Sequence, residues 1–420
     1  MSSSSEERKQ RDRDDGDEKD NGAEGDVEMT EEPDANEGKQ HPLLALSTDL
    51  FVLSLPEEEV SAAERAEITA RITERVEAQS MAPFLRRLGE KHGWKVDAAK
   101  LAAMEEANAK ALAAAEAKIT EAHEVAGDTE VREAMLARAN LHAQWGDAAK
   151  AFEEYNLVFD KTVGIASKVD VLLARMRVAL AFDDLKKLKH DIDKAKALIE
   201  QGGDWERKNQ LAVYEALYLM HTRQFSAASK LLLDAVSTFT TTELFSYSTF
   251  VLHAVALSLL AVDRATLRDG LLKSPEILSV IDDVPNLRAL LTSLYKCQYR
   301  ELFVALSALT PTLRRSPYLS PHVKYYLREL RVVAYSQFLR SYKAASLQAM
   351  ADSFGVSVAF MDAELFRFIS AGRIHAKIDK VQAVVDTNRP DKRNENYAKL
   401  VKDGDLLLNR MHKLSKVIAL

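Results

Sequence analysis

The sequence predicts a mainly α fold: a right-handed, tetratricopeptide-like solenoid of helical repeats, then a winged-helix region, then a C-terminal helix. Three observations carry this. No proline occurs between Pro83 and Pro275, and periodic Leu, Ala and Val fill that span, as continuous helix with short turns requires. Within the span, helix pairs break at points roughly 37 to 41 residues apart, near the ~34-residue period of tetratricopeptide-type hairpins. Beyond Leu347, two short helical patterns flank Gly355 and give way after Gly372 to alternating residues, the order of a helix-turn-helix with a β-hairpin.

Taken in order, Pro56 and the acidic Glu57–Glu59 predict the first turn of a helix that Val60, Ile68, Ile72 and Val76 continue. MAPFLRRLGEKHGW predicts a further short helix. Asp97 to Ala126 predicts a long one between an Asp N-cap and Gly127, with a narrow, Ala-rich stripe (Leu101, Met104, Leu112, Ala115, Ile119, Ala122) suited to one neighbouring helix. Three pairs follow, breaking at Gly146-Asp147, near Asp183-Asp184 and near Arg223-Gln224. Ala148, Ala149, Ala227 and Ala228, just after the turns, are small enough to let paired helices approach closely. Residues 239–320 continue the array, with Pro275, Pro285, Pro311, Pro317 and Pro321 marking ends. A helix from His322 to Tyr342 leads into the winged region, and its Tyr325, Tyr326, Tyr335, Phe338 and Tyr342 are expected to pack in a core.

The winged region has two common employments, reading DNA and joining protein subunits. A DNA-reading helix faces a polyanion and carries Arg, Lys, Asn or Gln. Val358 to Gly372 instead offers Asp362, Glu364 and one Arg367 among Phe360, Met361, Leu365, Phe366, Phe368 and Ile369. Basic residues cluster on the hairpin and just beyond it (Arg373, Lys377, Lys380, Arg389, Lys392, Arg393), as a solvated edge or a contact for an acidic protein surface. The hairpin strand, with Arg373, Ile374, His375, Lys377 and Ile378, is expected to leave a free edge open to a neighbouring strand. After the turn TNRPDKRNE, Leu400, Leu407, Met411, Leu414 and Ile418 step by seven, four, three and four along one face of a closing helix, with Lys399, Lys402, Arg410, Lys413 and Lys416 off the stripe. Leu407, Met411, Leu414 and Ile418 are therefore expected to enter a bundle with other chains.

Charge and chemistry bound the function. The net charge of −7 is uneven: residues 1–40 hold six basic and fifteen acidic side chains, so the remaining body is slightly positive. That tail has almost no large apolar side chain and is expected to be disordered. One cysteine, Cys297, excludes an internal disulfide and a cysteine zinc cluster, and is expected to be a buried structural thiol. The ten histidines never pair at ligand spacing, and there is no GxxxxGK[ST], GxGxxG, HExxH or His-X-His pattern. Asp183-Asp184 and Asp282-Asp283 sit at predicted turns, where Asp caps helices. No catalytic, cofactor or metal residue is assigned, so no enzyme is expected. Thr249 to Val262, the longest apolar stretch, is too short to span a membrane. The sequence thus predicts a soluble intracellular protein.

Degenerate helical repeats, a winged helix and a closing helix, in this order, resemble the PCI domain shared by the proteasome lid, the COP9 signalosome and translation initiation factor three. IEQGGDWERKNQLAVYEALY, LLLDAVSTFTTTEL, KYYLRELRVVAYSQFLRSY, FGVSVAFMDAELFRFISAGRIHAKIDKV and GDLLLNRMHKLSKVI look like the family of the seventh non-ATPase subunit of the proteasome regulatory particle. The similarity runs from Leu43 to Leu420. It implies a cytoplasmic and nuclear scaffold without catalytic activity or cofactor, hetero-oligomeric, joined to other PCI-domain lid subunits, with ATPase-ring subunits as further candidates. It implies no specific nucleic acid and no membrane. The expected organisation is a tail (1–40), N-terminal helices (41–128), repeats (129–320), a PCI winged-helix region (321–395) and a bundle helix (396–420). The rivals are the homologous signalosome scaffold and a nucleic-acid-binding winged-helix protein.

Overall fold

A computed structural model describes residues 40–418 apart from 58, 95–96, 126 and 388–391. The disorder expected of the acidic tail concerns residues outside this set. Among the described residues the fold is mainly α: nineteen α-helices and one three-stranded sheet. The chain is tied down at its first described residues, where Gln40 Nε2 donates to Leu244 O at 2.9 Å and the His41 N–H donates to Glu243 O at 2.8 Å. α1 (Pro42–Ser54), to which the sequence reading assigns no helix, then faces two ways. Leu44 joins the main core, while Leu43 and Leu46 pack with Ile68, Ile72, Val76 and Leu88 of α2 (Ala62–Ala78) and α3 (Ala82–His92). The expected helix start at Pro56 is corrected to Ser61, whose hydroxyl accepts from Glu64 N at 3.2 Å; a side-chain cap is a stronger start signal than proline here. α4 (Ala98–Val125) begins as expected after Asp97, which accepts from Ala99 N, and only Met104 and Ala115 of its stripe are fully buried.

The three expected pairs are α5/α6 (Asp128–Gln144, Ala148–Lys161), α7/α8 (Ile165–Ala181, Leu185–Glu200) and α9/α10 (Trp205–His221, Phe225–Ala235). One turn builds all three. A residue in the left-handed region (Gly146, φ 80°; Asp183, φ 58°; Arg223, φ 64°) reverses the chain, and the next N–H reaches back five residues. Asp147 N donates to His142 O at 3.0 Å, Asp184 N to Ala179 O at 2.9 Å and Gln224 N to Leu219 O at 2.8 Å, closing the carbonyls each helix end leaves open. Asp147 and Asp184 then cap the following helices. Of the alanines expected at the close approach, Ala228 is fully buried, but Ala149 and Ala227 face solvent and Ala151 takes the contact in the first pair. Helix periodicity, not distance from the turn, decides which alanine faces the partner.

α11 (Tyr247–Ala261) is the long apolar stretch, buried continuously from Phe250 to Leu259. The partner position after it is irregular: α12 (Arg264–Leu267), a π turn, α13 (Pro275–Val280) and a 3₁₀ turn. The regular turn returns between α14 (Leu287–Lys296) and α15 (Tyr299–Arg315), where Cys297 has φ 60° and Gln298 N donates to Ser293 O at 2.9 Å. Cys297 is therefore a half-buried turn residue and not the buried helical thiol expected; its Sγ accepts from Gln337 Nε2 at 3.0 Å. Pro311, expected at a helix end, lies inside α15, where buried Leu309 and Leu313 hold both flanks.

α16 (Val323–Leu339) buries Tyr326, Tyr335 and Phe338 but leaves Tyr342, just past its end, half exposed. The winged region comprises β1 (Ala344–Ser346), α17 (Leu347–Phe354), α18 (Val358–Ser370), β2 (Ala376–Asp379) and β3 (Val384–Thr387), with antiparallel order β1-β3-β2. β1 was not expected; three residues, Ala-Ala-Ser, are too few to show alternation. α19 (Lys392–Ile418) closes the chain, starting four residues before the expected boundary because nothing after Pro390 interrupts a helix.

Candidate assembly interface

The winged region is fastened to α16 by two buried carboxylates. Glu364, on the helix that would read DNA, turns inward, accepts from Tyr335 Oη at 2.9 Å and pairs with Arg331 at 3.1 Å. Burial first, and Glu364 next, push the Tyr335 phenol well above its ordinary range. Glu329 of α16 is likewise buried and pairs with Arg373, ahead of β2. Ser346 and Ser357 cap α17 and α18, Gly355 makes the left-handed turn between them (φ 69°), and Gly372 (φ 68°) sends the chain into the hairpin.

Asp362 and Glu364, the acidic residues on which the sequence reading weighs against DNA, are both engaged within this chain. Glu364 is spent internally and Asp362 pairs with Lys380 of the hairpin at 3.6 Å, so neither defines the outer face. What α18 presents outward includes Phe360 and Phe366 together with its single cation, Arg367. Arg389 lies outside the described residues.

The hairpin residues named from the sequence separate into two groups. His375 and Lys377 are exposed, and β2 pairs with β3 on one side only, so it is an edge strand of the sheet. Ile378 is half buried opposite Val385. Ile374, 5% exposed, belongs to this chain's own core, whereas Arg373 is exposed and pairs with the buried Glu329. The residues of α19 behave otherwise. Every side chain described from Arg393 to Ile418 is exposed, and Leu407, Met411, Leu414 and Ile418 stand 60–76% open. Leu400, Leu406, Leu408 and Val417 add to this, so α19 carries its apolar surface without cover from the rest of the described chain. The sequence reading grouped Phe360, Met361, Leu365, Phe366, Phe368 and Ile369 together; which of them point inward is set by the docking of α18 on α16.

Two absences hold among the described residues. No group of three or more His, Cys, Asp or Glu is placed to hold a metal, and no helix is long and apolar enough to cross a membrane. His253 is a core histidine with Nε2 2.9 Å from Ser316 Oγ.

Comparison with known proteins identifies the family. Three family models match in sequence: "26S proteasome subunit RPN7" over residues 97–270, "PCI domain" over 306–389, and "26S proteasome regulatory subunit RPN7/PSMD6 C-terminal helix" over 397–418. The 26S proteasome non-ATPase regulatory subunit 6 of Oryza sativa subsp. japonica is 46% identical over 384 residues, covering 91% of this chain and 98% of that protein. The chain belongs to the RPN7/PSMD6 family of 26S proteasome regulatory subunits. RPN7/PSMD6 relatives reach to Caenorhabditis elegans (40% identical, 90% of this chain and 93% of the relative) and to Saccharomyces cerevisiae (36%, 70% of each). The RPN7 model spans the long helix and the three hairpins, the PCI model spans α15 to the sheet, and the last model coincides with the exposed length of α19.

Proposed function

We propose that this chain is a non-catalytic scaffold subunit of the 26S proteasome lid, supporting ubiquitin-dependent degradation by holding other subunits in place. One observation carries the reading: a 27-residue helix that is apolar along one face and exposed along its described length. An apolar stripe of this kind is costly in water and is relieved by association, at roughly 1.5–3 kcal/mol for each large side chain buried. The open edge of β2, with His375 and Lys377, supplies a second contact of the kind neighbouring PCI domains would use. Its partners on this reading are PCI-domain lid subunits, with ATPase-ring subunits as further contacts, in a hetero-oligomer of cytoplasm and nucleus that binds no specific nucleic acid. The absence of any motif for phosphate binding, metal hydrolysis or nucleophilic attack supports the non-catalytic part. Affinity purification of the tagged full chain followed by mass spectrometry tests this. Recovery of ATPase-ring and core-particle subunits is expected; recovery of signalosome subunits in their place would transfer the reading to that particle.

A further inference from the structure

One short segment of this chain touches hairpins that stand far apart in the array. In a solenoid each repeat packs on its neighbours, so the angle between distant repeats is the sum of many small steps and deforms easily. α1–α3 tie such distant parts together. Leu44 of α1 lies in the main core, and Gln40 and His41 are bonded to Leu244 and Glu243, beyond the third hairpin. In α3, Arg87 lies 4.4 Å over the ring of Phe182, at the turn of the second hairpin. Phe84 packs against Gly146, at the turn of the first. The start of α2 reaches farther still. Glu59 pairs with Arg314 and Glu64 with Arg315, in the last turn of α15, 255 and 251 residues away.

The bend between α1 and α2 is shaped for this contact. Arg65 donates to the carbonyls of Leu53, Leu55 and Val60, which fastens the bend to the first turn of α2. Glu64 meets Arg315 with both carboxylate oxygens, Oε1 to Nη1 at 3.1 Å and Oε2 to Nη2 at 3.2 Å. Between the two acids Val60 is buried. The core that α1–α3 build for themselves shares Ala181 and Phe182 with the main core and includes no residue of α15. The two ion pairs that reach α15 have arginines 42% and 46% exposed, where attraction is modest and screened by salt. α15 in turn packs on α16 and α17, so what holds α15 also holds the winged region.

We propose that α1–α3 form a strap across the hairpin array, closed on α15 by a clasp of Glu59 and Glu64 with Arg314 and Arg315, and that closing it fixes the angle between the first hairpins and the winged region. Opening the clasp leaves every helix folded and frees that angle. The test places pairs of spin labels on exposed positions of the full chain, in a Cys297→Ser background, and reads their separation by double electron–electron resonance. Ala66→Cys with Ser307→Cys spans the clasp, and Ala149→Cys with Ala349→Cys spans the first hairpin and the winged region. Both distributions should be narrow in the parent. Arg314→Glu with Arg315→Glu should broaden both, by about twofold or more, because four acids then face one another in place of two ion pairs. Adding Glu59→Arg and Glu64→Arg to that variant should restore both, and circular dichroism should show the parent's helix content throughout. A clasp distance that stays narrow after charge reversal rejects the clasp. A clasp that opens while the second distance holds rejects its control of the angle. If charge reversal unfolds the chain, salt decides: raising sodium chloride from about 0.15 M to about 1 M should broaden the parent's clasp distance, and an unchanged distance rejects the proposal.

Discussion

His253 shows what single residues contribute to this molecule. It is 1% exposed, lies edge-on to the rings of Phe245 and Tyr318, and burial lowers its pKa to about 4. His41, at the anchored start of α1, is also lowered to about 4, by burial first and Arg177 next, against the opposing pull of Glu243. In both cases the folded chain holds the neutral ring, while the unfolded chain takes up a proton below its ordinary value near 6.5. Stability should therefore be flat above pH 7 and fall as pH drops from about 6.5 to about 4, at up to roughly 1.4 kcal/mol per pH unit for each such group. Urea midpoints measured across that range check this. His253→Gln, which keeps a hydrogen-bonding group near Ser316, should remove its share of the slope; an unchanged slope would reject the assignment. The Glu364 network allows a second test. Glu364→Gln and Tyr335→Phe should each cost about 1–2 kcal/mol, and the double variant less than their sum, because both act on one buried contact. Full additivity would show that the two side chains are not coupled.

At the scale of elements, one turn recurs, and its glycines are not equivalent. Gly146 combines φ 80° with a site where a Cβ would stand 2.8 Å from Phe84 Cβ, whereas the same atom on Gly355 (φ 69°) would meet the Arg300 side chain, which can move. Gly146→Ala should therefore destabilise by about 2–3 kcal/mol and Gly355→Ala by about 1 kcal/mol. Equal losses in thermal unfolding would mean that backbone conformation alone decides. The edge strand can be probed as well: Ile378→Pro should remove a ladder donor or strain the hairpin, weakening attachment to the adjacent subunit while the far-ultraviolet dichroism of the helical array persists. An unaltered pull-down would count against the edge as an interface. These same elements show what the sequence discloses. The helix pairs were readable because Gly146-Asp147 and Asp183-Asp184 announce both the end of one helix and the cap of the next. The turn at Cys297-Gln298 was not, since neither residue is a usual breaker and tertiary packing imposes the left-handed conformation. β1 escaped notice because its pairing with β3 joins residues some forty positions apart.

For the whole molecule, helical class and the order of parts could be read from periodicity and proline placement, but the division between inward and outward surfaces could not. Glu364 and Ile374 looked available in the sequence and are buried, because docking of the winged region on α16 sets which way α18 and the hairpin face. α19 is the reverse case: its stripe was legible, and none of the described residues covers it. This contrast yields the last prediction. Replacing Leu407 and Leu414 together by Asp should change the stability of the free chain by no more than about 0.5 kcal/mol, since both side chains already face water. In a bundle the same changes would bury two unpaired charges, a cost that association cannot offset. The variant should therefore fold with a normal melting temperature and fail to enter the particle, leaving partial assemblies on a native gel. Leu257→Asp, in the fully buried span of α11, is the counterpart, expected to unfold the chain outright. Normal incorporation of the double variant would remove α19 from the assembly mechanism, and a large loss of monomer stability would show that α19 packs on its own chain in solution.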